Sequence, residues 1–189
     1  VRGKYLIPHG QRRGRPIILL ARDPRDAFVS LHLQLTRRTK ETPDELKRMS
    51  AGELLRDPAH GIESMVEIMN SWLAEWSARP DFLLLRYETL RAEPAPGFRQ
   101  LLQVLGETES KEEALAHALK FSDFEHMQEL EGTGYFDSKI LRAGDALDPE
   151  SRKVRRGKIG GYVDYLSTTD QDYAARAMRR LHHRFGYPT

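Results

Sequence analysis

The feature that most constrains this chain is a short apolar run that stops abruptly on charge. Pro16-Ile17-Ile18-Leu19-Leu20-Ala21 is continuously apolar, and Arg22-Asp23-Pro24-Arg25-Asp26 follows at once. Apolar residues without alternation over so short a span are the pattern of a strand buried on both faces, as in a parallel sheet. Pro24 suits the first turn of a helix. Residues 27–38 continue helically, with Phe28, Leu31 and Leu35 on one stripe. A strand therefore feeds a helix through a charged turn. The pattern recurs where Phe82-Leu83-Leu84-Leu85 runs into Arg86-Tyr87-Glu88.

Helical spacing elsewhere fills in the other half of the pattern. Ile62, Met65, Val66, Met69, Trp72, Leu73 and Trp76 form an amphipathic helix that ends before Pro80, and both tryptophans read as core. Residues 94–105 read as a helix closed by Gly106. Ser110 with Glu113, and Ser122 with Glu125, are capping-box patterns that open short helices near 111–120 and 123–130. Residues 170–184 read as a C-terminal helix with Tyr173, Ala177, Leu181 and Phe185 inward. Two segments lack periodicity. Residues 39–59 are polar and read as exposed, and 132–161 read as a long charged loop of the functional or mobile kind.

Helices alternating with short apolar strands specify an α/β fold with a parallel sheet flanked by helices in three layers. Tyr5-Leu6-Ile7 is a candidate third strand. Three strands are few for so many helices, so a further central strand is expected before Val1. A chain that opens on valine fits that expectation.

Composition narrows the function. A length of 189 residues suits a single domain spanning 1–189. Hydrophobic residues at 39% and charged residues at 31% exclude a disordered chain. No apolar run approaches the roughly 20 residues that span a bilayer, so no membrane span is expected. Cysteine is absent, which excludes disulfides and thiolate metal sites. The net charge of +2 hides an uneven distribution. Residues 1–22 hold six Lys or Arg and no acid, 151–161 hold five and no acid, and the remainder holds 19 basic and 28 acidic residues. Two basic islands on an acidic body point to a polyanionic partner.

The islands coincide with candidate chemistry. Ligands of open α/β sheets bind beyond the carboxyl ends of the strands. Arg22 stands at such an end and Ser30 in the helix that follows, so an arginine fork and a hydroxyl can share an anion. The same spacing also fits an ion-pair turn in which Arg22 and Arg25 only cap the helix. The second island, Arg152-Lys153-Val154-Arg155-Arg156-Gly157-Lys158-Ile159-Gly160-Gly161, puts five cations and three glycines in one loop. Glycine lets backbone approach an anion, and cations with no acid in the window repel unless an anion relieves them. A solvated basic loop is the plainer alternative. Tyr87, after the second strand, either faces the same mouth as Arg22, where it contacts a base, or packs on a helix.

Taken together, these segments resemble the sulfotransferases that use 3′-phosphoadenosine 5′-phosphosulfate. Ile18-Leu-Leu-Ala-Arg-Asp-Pro-Arg-Asp-Ala-Phe-Val-Ser30 is similar to that family's 3′-phosphate motif. Phe82-Leu-Leu-Leu-Arg-Tyr-Glu-Thr-Leu90, with Pro94 and Leu105-Gly106, is similar to its next strand and helix. Val154-Arg-Arg-Gly-Lys-Ile-Gly160 is similar to its late basic loop, usually Arg-Lys-Gly-x-x-Gly. The three occur in family order across roughly residues 5–170.

The resemblance implies a P-loop nucleoside triphosphate hydrolase-like fold. It also implies in-line transfer of a sulfuryl group from that donor to a hydroxyl or amine on a small-molecule or glycan acceptor, with no metal. Arg22, Ser30, Arg155, Arg156 and Gly157 would hold the 3′-phosphate, and Tyr87 would lie near the adenine. His9, just after the candidate third strand, would be the catalytic base, with His32 as the runner-up. His182 and His183 read as decoration favoured by a helix C-terminus. The family's phosphosulfate loop, of the type Pro-Lys-Ser-Gly-Thr-Thr, is absent from this sequence. The polypeptide is therefore expected to extend before Val1, with any targeting signal there, and to be cytoplasmic. A catalytically inactive nucleotide-binding relative and a basic nucleic-acid-binding module are the alternatives. The second lacks interleaved aromatics and any helix-turn-helix or zinc pattern, so no nucleic-acid partner is expected.

Overall fold

The computed structural model of the chain describes residues 14–107, 112–138, 145 and 147–188. Two strands, β1 (Ile17–Ala21) and β2 (Phe82–Arg86), pair in parallel with Ile17 opposite Phe82 and Ala21 opposite Arg86. Four helices make the crossover between them: α1 (Pro24–Leu33), α2 (Asp44–Arg48), α3 (Ala51–Leu55) and α4 (Ile62–Trp76). After β2 come α5 (Tyr87–Ala92), α6 (Pro94–Val104), α7 (Glu112–Phe121), α8 (Phe124–Thr133) and α9 (Thr168–Met178). This is the α/β fold with a parallel sheet and flanking helices expected from the two apolar runs. The candidate strand Tyr5–Ile7 lies outside the described residues.

The strand pair is covered unequally. Leu19 and Ala21, two apart on one pleat face, pack with Val66 and Leu73 of α4, Met178 of α9, and Leu181, Phe185 and Tyr187 beyond it. Leu20 points the other way and is 55% exposed. Burial on both faces of β1 is thus not found among the described residues. A second core joins Phe28, Val29 and Leu33 of α1 to Leu54, Leu55, Ile62, Leu166, Ala174 and Ala177.

Several boundaries differ from the sequence expectation. The helix read over 27–38 is α-helical only to Leu33, and Gln34–Arg38 winds as a π-helical turn. The segment read as exposed over 39–59 contains α2 and α3, and Leu54 and Leu55 are fully buried. A complete capping box on Ser50 and Glu53 starts α3, whose five residues are too few to show periodicity. Asp123, rather than Ser122, caps α8 by accepting from the His126 N–H at 2.7 Å. Ser110 lies outside the described residues. Gly106 (φ +84°) follows α6 as expected. The C-terminal helix starts earlier, on a Ser167 cap, and stops at Met178. His182 then caps the 3₁₀ turn His183–Phe185, so the two histidines stand beyond the helix. Trp76 is buried and Trp72 half-buried, as core reading required. No helix among the described residues is long and apolar enough to cross a membrane.

Candidate functional site

Parallel pairing puts the ends of β1 and β2 on one edge, so Arg22 and Tyr87 start out as neighbours. The guanidinium of Arg22 stacks over the Tyr87 ring at 4.6 Å. Below them Asp23 caps α1, accepting from the Arg25 N–H at 2.9 Å, and takes the Arg25 guanidinium at 2.9 and 2.7 Å. The ion-pair turn weighed from the sequence is therefore real for Arg25, and Arg22 joins it only at the longer distance of 3.9 Å from Asp26. The Asp23 backbone N–H donates to Glu88 Oε1 at 2.9 Å, and the Tyr187 hydroxyl donates to Glu88 Oε2 at 2.8 Å. Burial first, and then Glu88, hold the Tyr187 phenol above its ordinary range. The two strand ends and the C-terminal segment are thus tied together.

The distant basic loop reaches the same edge through buried carboxylates. Asp26 has a side chain only 2% exposed and accepts from the N–H groups of Gly160 at 2.7 Å and Tyr162 at 2.9 Å. It also lies 3.9 Å from Arg22, whose Nη2 donates to the Lys158 carbonyl at 3.4 Å. Glu131 of α8 accepts from the N–H groups of Lys153 at 2.6 Å and Val154 at 2.8 Å. Gln128 Nε2 donates to the Arg155 carbonyl at 2.7 Å. Gly157 adopts φ +57°, and a Cβ there would lie 2.7 Å from Phe124 Cε2. Only glycine accepts both conditions, and the loop can close on α8 for that reason.

These constraints enclose a cavity of about 190 Å³. Arg22, Asp26, Val29, Arg38, Tyr87, Phe124, the 153–158 loop, Gly161 and Tyr165 line it. Five of the cofactor-site residues expected from sequence meet here: Arg22, Tyr87, Arg155, Arg156 and Gly157. Ser30 is half-buried one helical turn beyond Asp26, on the same side of α1, but is not among the lining residues. His9 lies outside the described residues. His32 does not line the cavity; its Nε2 is 3.3 Å from the Met49 carbonyl and its ring stacks on Phe28. Burial, the largest influence, lowers its pKa.

Charge around the cavity is less uniform than the sequence window implied. Acids outside that window reach in: Glu150 pairs with Arg155 at 3.1 Å, and Asp164 pairs with Arg156 at 3.0 Å and Lys158 at 2.8 Å. Tyr165 joins the first pair, its hydroxyl bonded to both Arg155 and Glu150. What stays uncompensated is narrower. Nε of Arg22 and Nε of Arg38 are buried without a hydrogen-bond partner. A buried donor left so is costly unless an acceptor reaches it, and both belong to the wall of one cavity.

Sequence reasoning gave no site role to Arg38, Phe124 or Asp26, and named Lys153 only as one of the basic island's five cations. Asp26 had a signal in its i, i+4 spacing from Arg22. Phe124 lines this cavity and also a second one of about 420 Å³, in both cases together with Tyr87. Two aromatic rings on that shared wall suit a flat, stackable group.

Known proteins resemble this chain in sequence and fold. Residues 14–186 match the family described as the sulfotransferase domain. The chain is 29% identical over 164 residues to cytosolic sulfotransferase 17 of Arabidopsis thaliana, covering 82% of this chain and 46% of that protein. It is 28% identical over 160 residues to flavonol 3-sulfotransferase of Flaveria bidentis, covering 80% and 49%. The chain thus spans about half the length of the curated relatives it matches. Among solved structures, a retinol dehydratase in complex with androsterone and the inactive cofactor PAP superposes with a TM-score of 0.70 at 20% identity, covering 92% of this chain and 49% of that one. A mouse sulfotransferase complexed with PAP gives 0.63 at 18% identity, covering 90% and 61%. Both likenesses concern the fold.

Proposed function

Because this chain belongs to the sulfotransferase domain family, we propose that it transfers a sulfuryl group from 3′-phosphoadenosine 5′-phosphosulfate to a hydroxyl or amine of an acceptor. The observation that carries the reading is the meeting of Arg22 with Arg155 and Arg156, more than a hundred residues away in sequence, around one cavity whose Arg22 Nε is buried without a partner. A phosphate supplies several acceptor oxygens and a dianionic charge, which is what such a set of donors fits.

In this reading Arg22, Arg155, Arg156 and the Gly157 backbone hold the 3′-phosphate. Ser30 adds its hydroxyl from the next turn of α1, and Tyr87 with Phe124 takes the adenine. When bound, the donor supplies the sulfuryl group that is transferred. The chain's own task is to fix the nucleotide so that the acceptor attacks in line, with no covalent enzyme intermediate. His9 is the proposed base that takes the acceptor's proton. Small molecules with a hydroxyl or amine are the proposed acceptors, a class that the flavonol-sulfating relative exemplifies by its name. A cytoplasmic location belongs to the same reading and is supported by relatives named as cytosolic. The pairing of Arg155, Arg156 and Lys158 with Glu150 and Asp164 argues against a surface tuned to long nucleic acid.

Calorimetric titration of the full-length protein with 3′-phosphoadenosine 5′-phosphate tests this function. We expect binding that Arg22→Ala weakens by about tenfold or more and Ser30→Ala by a smaller factor, as for charged and neutral hydrogen bonds respectively. A wild type that does not bind this nucleotide contradicts the proposal.

A further inference from the structure

The π-helical turn Gln34–Arg38 has a consequence for the cavity. Along an uninterrupted α-helix, the face that carries Asp26 and Ser30 next presents Leu33 and then residue 37. A π-turn holds one extra residue, so position 38 takes that place. Arg37 is accordingly turned outward, 58% exposed and 3.8 Å from Asp148. Arg38 is half-buried and lines the cavity. Side chains brace the turn: Thr36 Oγ1 donates to the His32 carbonyl at 2.8 Å, and Gln34 Nε2 donates to Thr39 Oγ1 at 2.7 Å. The Thr39 N–H closes it onto the Gln34 carbonyl at 3.0 Å.

Gln34 also connects the turn to the basic loop, since Lys153 Nζ donates to Gln34 Oε1 at 3.3 Å. That partner is neutral. Neither Arg38 nor Lys153 forms an ion pair with a described residue, and Arg38 Nε is buried without any partner. The acids nearby are committed elsewhere. Glu131 holds the Lys153 and Val154 N–H groups, Glu150 holds Arg155 and Tyr165, and Asp26 holds Gly160 and Tyr162. Burial, then the charge of Arg155, makes the Arg38 proton easier to lose than usual. Burial, then the charge of Arg38, does the same for Lys153. Three cations thus stand on one cavity wall; Glu131 and Glu150 attract Arg38, and Glu131 attracts Lys153, but neither of these two cations has a described carboxylate within ion-pair distance.

We propose that Arg38 and Lys153, with Arg155, form an oxyanion subsite that takes a phosphate monoester dianion. Resting on the nucleotide reading above, the subsite engages the 3′-phosphate of the donor and product nucleotides and selects them over nucleotides phosphorylated only at the 5′ position. A dianion relieves the repulsion among the three cations and supplies the acceptor that Arg38 Nε lacks. The π-turn is then the device that brings Arg38, instead of Arg37, to the anion.

The test is calorimetry on the full-length protein with 3′-phosphoadenosine 5′-phosphate, adenosine 5′-phosphate and inorganic phosphate as separate probes. Arg38→Gln, Lys153→Gln and Arg38→Lys are compared with wild type, with thermal unfolding to confirm that each is folded. The first two variants are expected to weaken the bisphosphate by about tenfold or more, and adenosine 5′-phosphate by less than about twofold. Arg38→Lys should recover part of the loss. Undiminished bisphosphate binding in both Gln variants, or an equal loss for the two nucleotides, overturns the subsite while leaving nucleotide binding intact. If wild type binds neither nucleotide but binds inorganic phosphate, and Arg38→Gln abolishes that binding, the subsite stands and the nucleotide reading fails. If none of the three probes binds, both fail.

Discussion

The carboxylate of Asp26 accepts a hydrogen bond from the backbone N–H of Gly160 at 2.7 Å, across 134 positions of sequence. With the second bond from Tyr162 and the proximity of Arg22, this one side chain fastens the basic loop to the end of β1. Asp26→Asn keeps the shape but turns a charged acceptor into a neutral one and offers an NH₂ toward N–H donors. The expected cost is about 2 kcal/mol, or a Tm lower by about 4–8 °C for a chain of this size. Differential scanning calorimetry reads it. Nucleotide affinity should fall with it, because loop and Arg22 lose their common anchor.

Glycine substitutions separate strain from space. Gly157→Ala meets both a left-handed backbone (φ +57°) and the Phe124 ring at 2.7 Å. It should destabilise by at least 1–2 kcal/mol, the approximate cost of the left-handed region alone, and weaken nucleotide binding. Gly132→Ala, inside α8 with nothing within 4 Å of a new Cβ, should instead stabilise by about 0.5–1 kcal/mol. Urea unfolding of the two variants gives opposite signs if the loop is closed on α8 as described.

Leu55→Ala distinguishes the structure from the plain reading of residues 39–59 as an exposed polar loop. An exposed leucine would cost within about 0.5 kcal/mol. A fully buried one, in the core with Phe28, Ile62 and Ala174, should cost about 2–5 kcal/mol. The midpoint of chemical unfolding decides between them.

Stability should also carry an acid limb. The Ser167 hydroxyl and then the Arg56 guanidinium, which reaches Asp170 Oδ1 at 2.5 Å, hold the Asp170 carboxyl below its ordinary pKa. A carboxyl depressed in the folded state stabilises fully above its unfolded value near about pH 4 and loses that contribution as pH falls through the folded value. Asp170→Asn should therefore be less stable than wild type at pH 7, by about 1 kcal/mol or less given its partly exposed partner. The gap should be smaller at about pH 3, below the unfolded value and nearer the depressed folded one. Unfolding curves at the two pH values check the sign.

How far the sequence reached is visible residue by residue. The strand end at Ala21, the second strand to within one residue (read as ending at Leu85, observed to end at Arg86) and the helix Ile62–Trp76 were legible because each is set by local pattern: a continuous apolar run, or an apolar stripe ended by Pro80. Arg22, Tyr87 and Arg155–Gly157 were legible as parts because each motif is short, but spacing alone left Arg22 open between cap and ligand. The cap proved to be Asp23, which accepts from the Arg25 N–H and pairs with the Arg25 guanidinium. Arg38 was not legible. Its side depends on the extra residue of the π-turn, and a 3.6-residue period assigns that place to Arg37. The acids that neutralise Arg155, Arg156 and Lys158 escaped for a different reason. Glu150 and Asp164 lie just outside the basic window and fold back onto it, so the charge run looked barer in one dimension than in three.

The central claim is that Arg22 and the 155–157 loop converge on one phosphate. Its most direct test is a crystal structure of the full-length protein with 3′-phosphoadenosine 5′-phosphate bound. The account predicts the 3′-phosphate within hydrogen-bond distance of Arg22, Arg155 and Arg38, with the base against Tyr87 and Phe124. A nucleotide bound elsewhere, or a 3′-phosphate that touches neither Arg22 nor the loop, would contradict it.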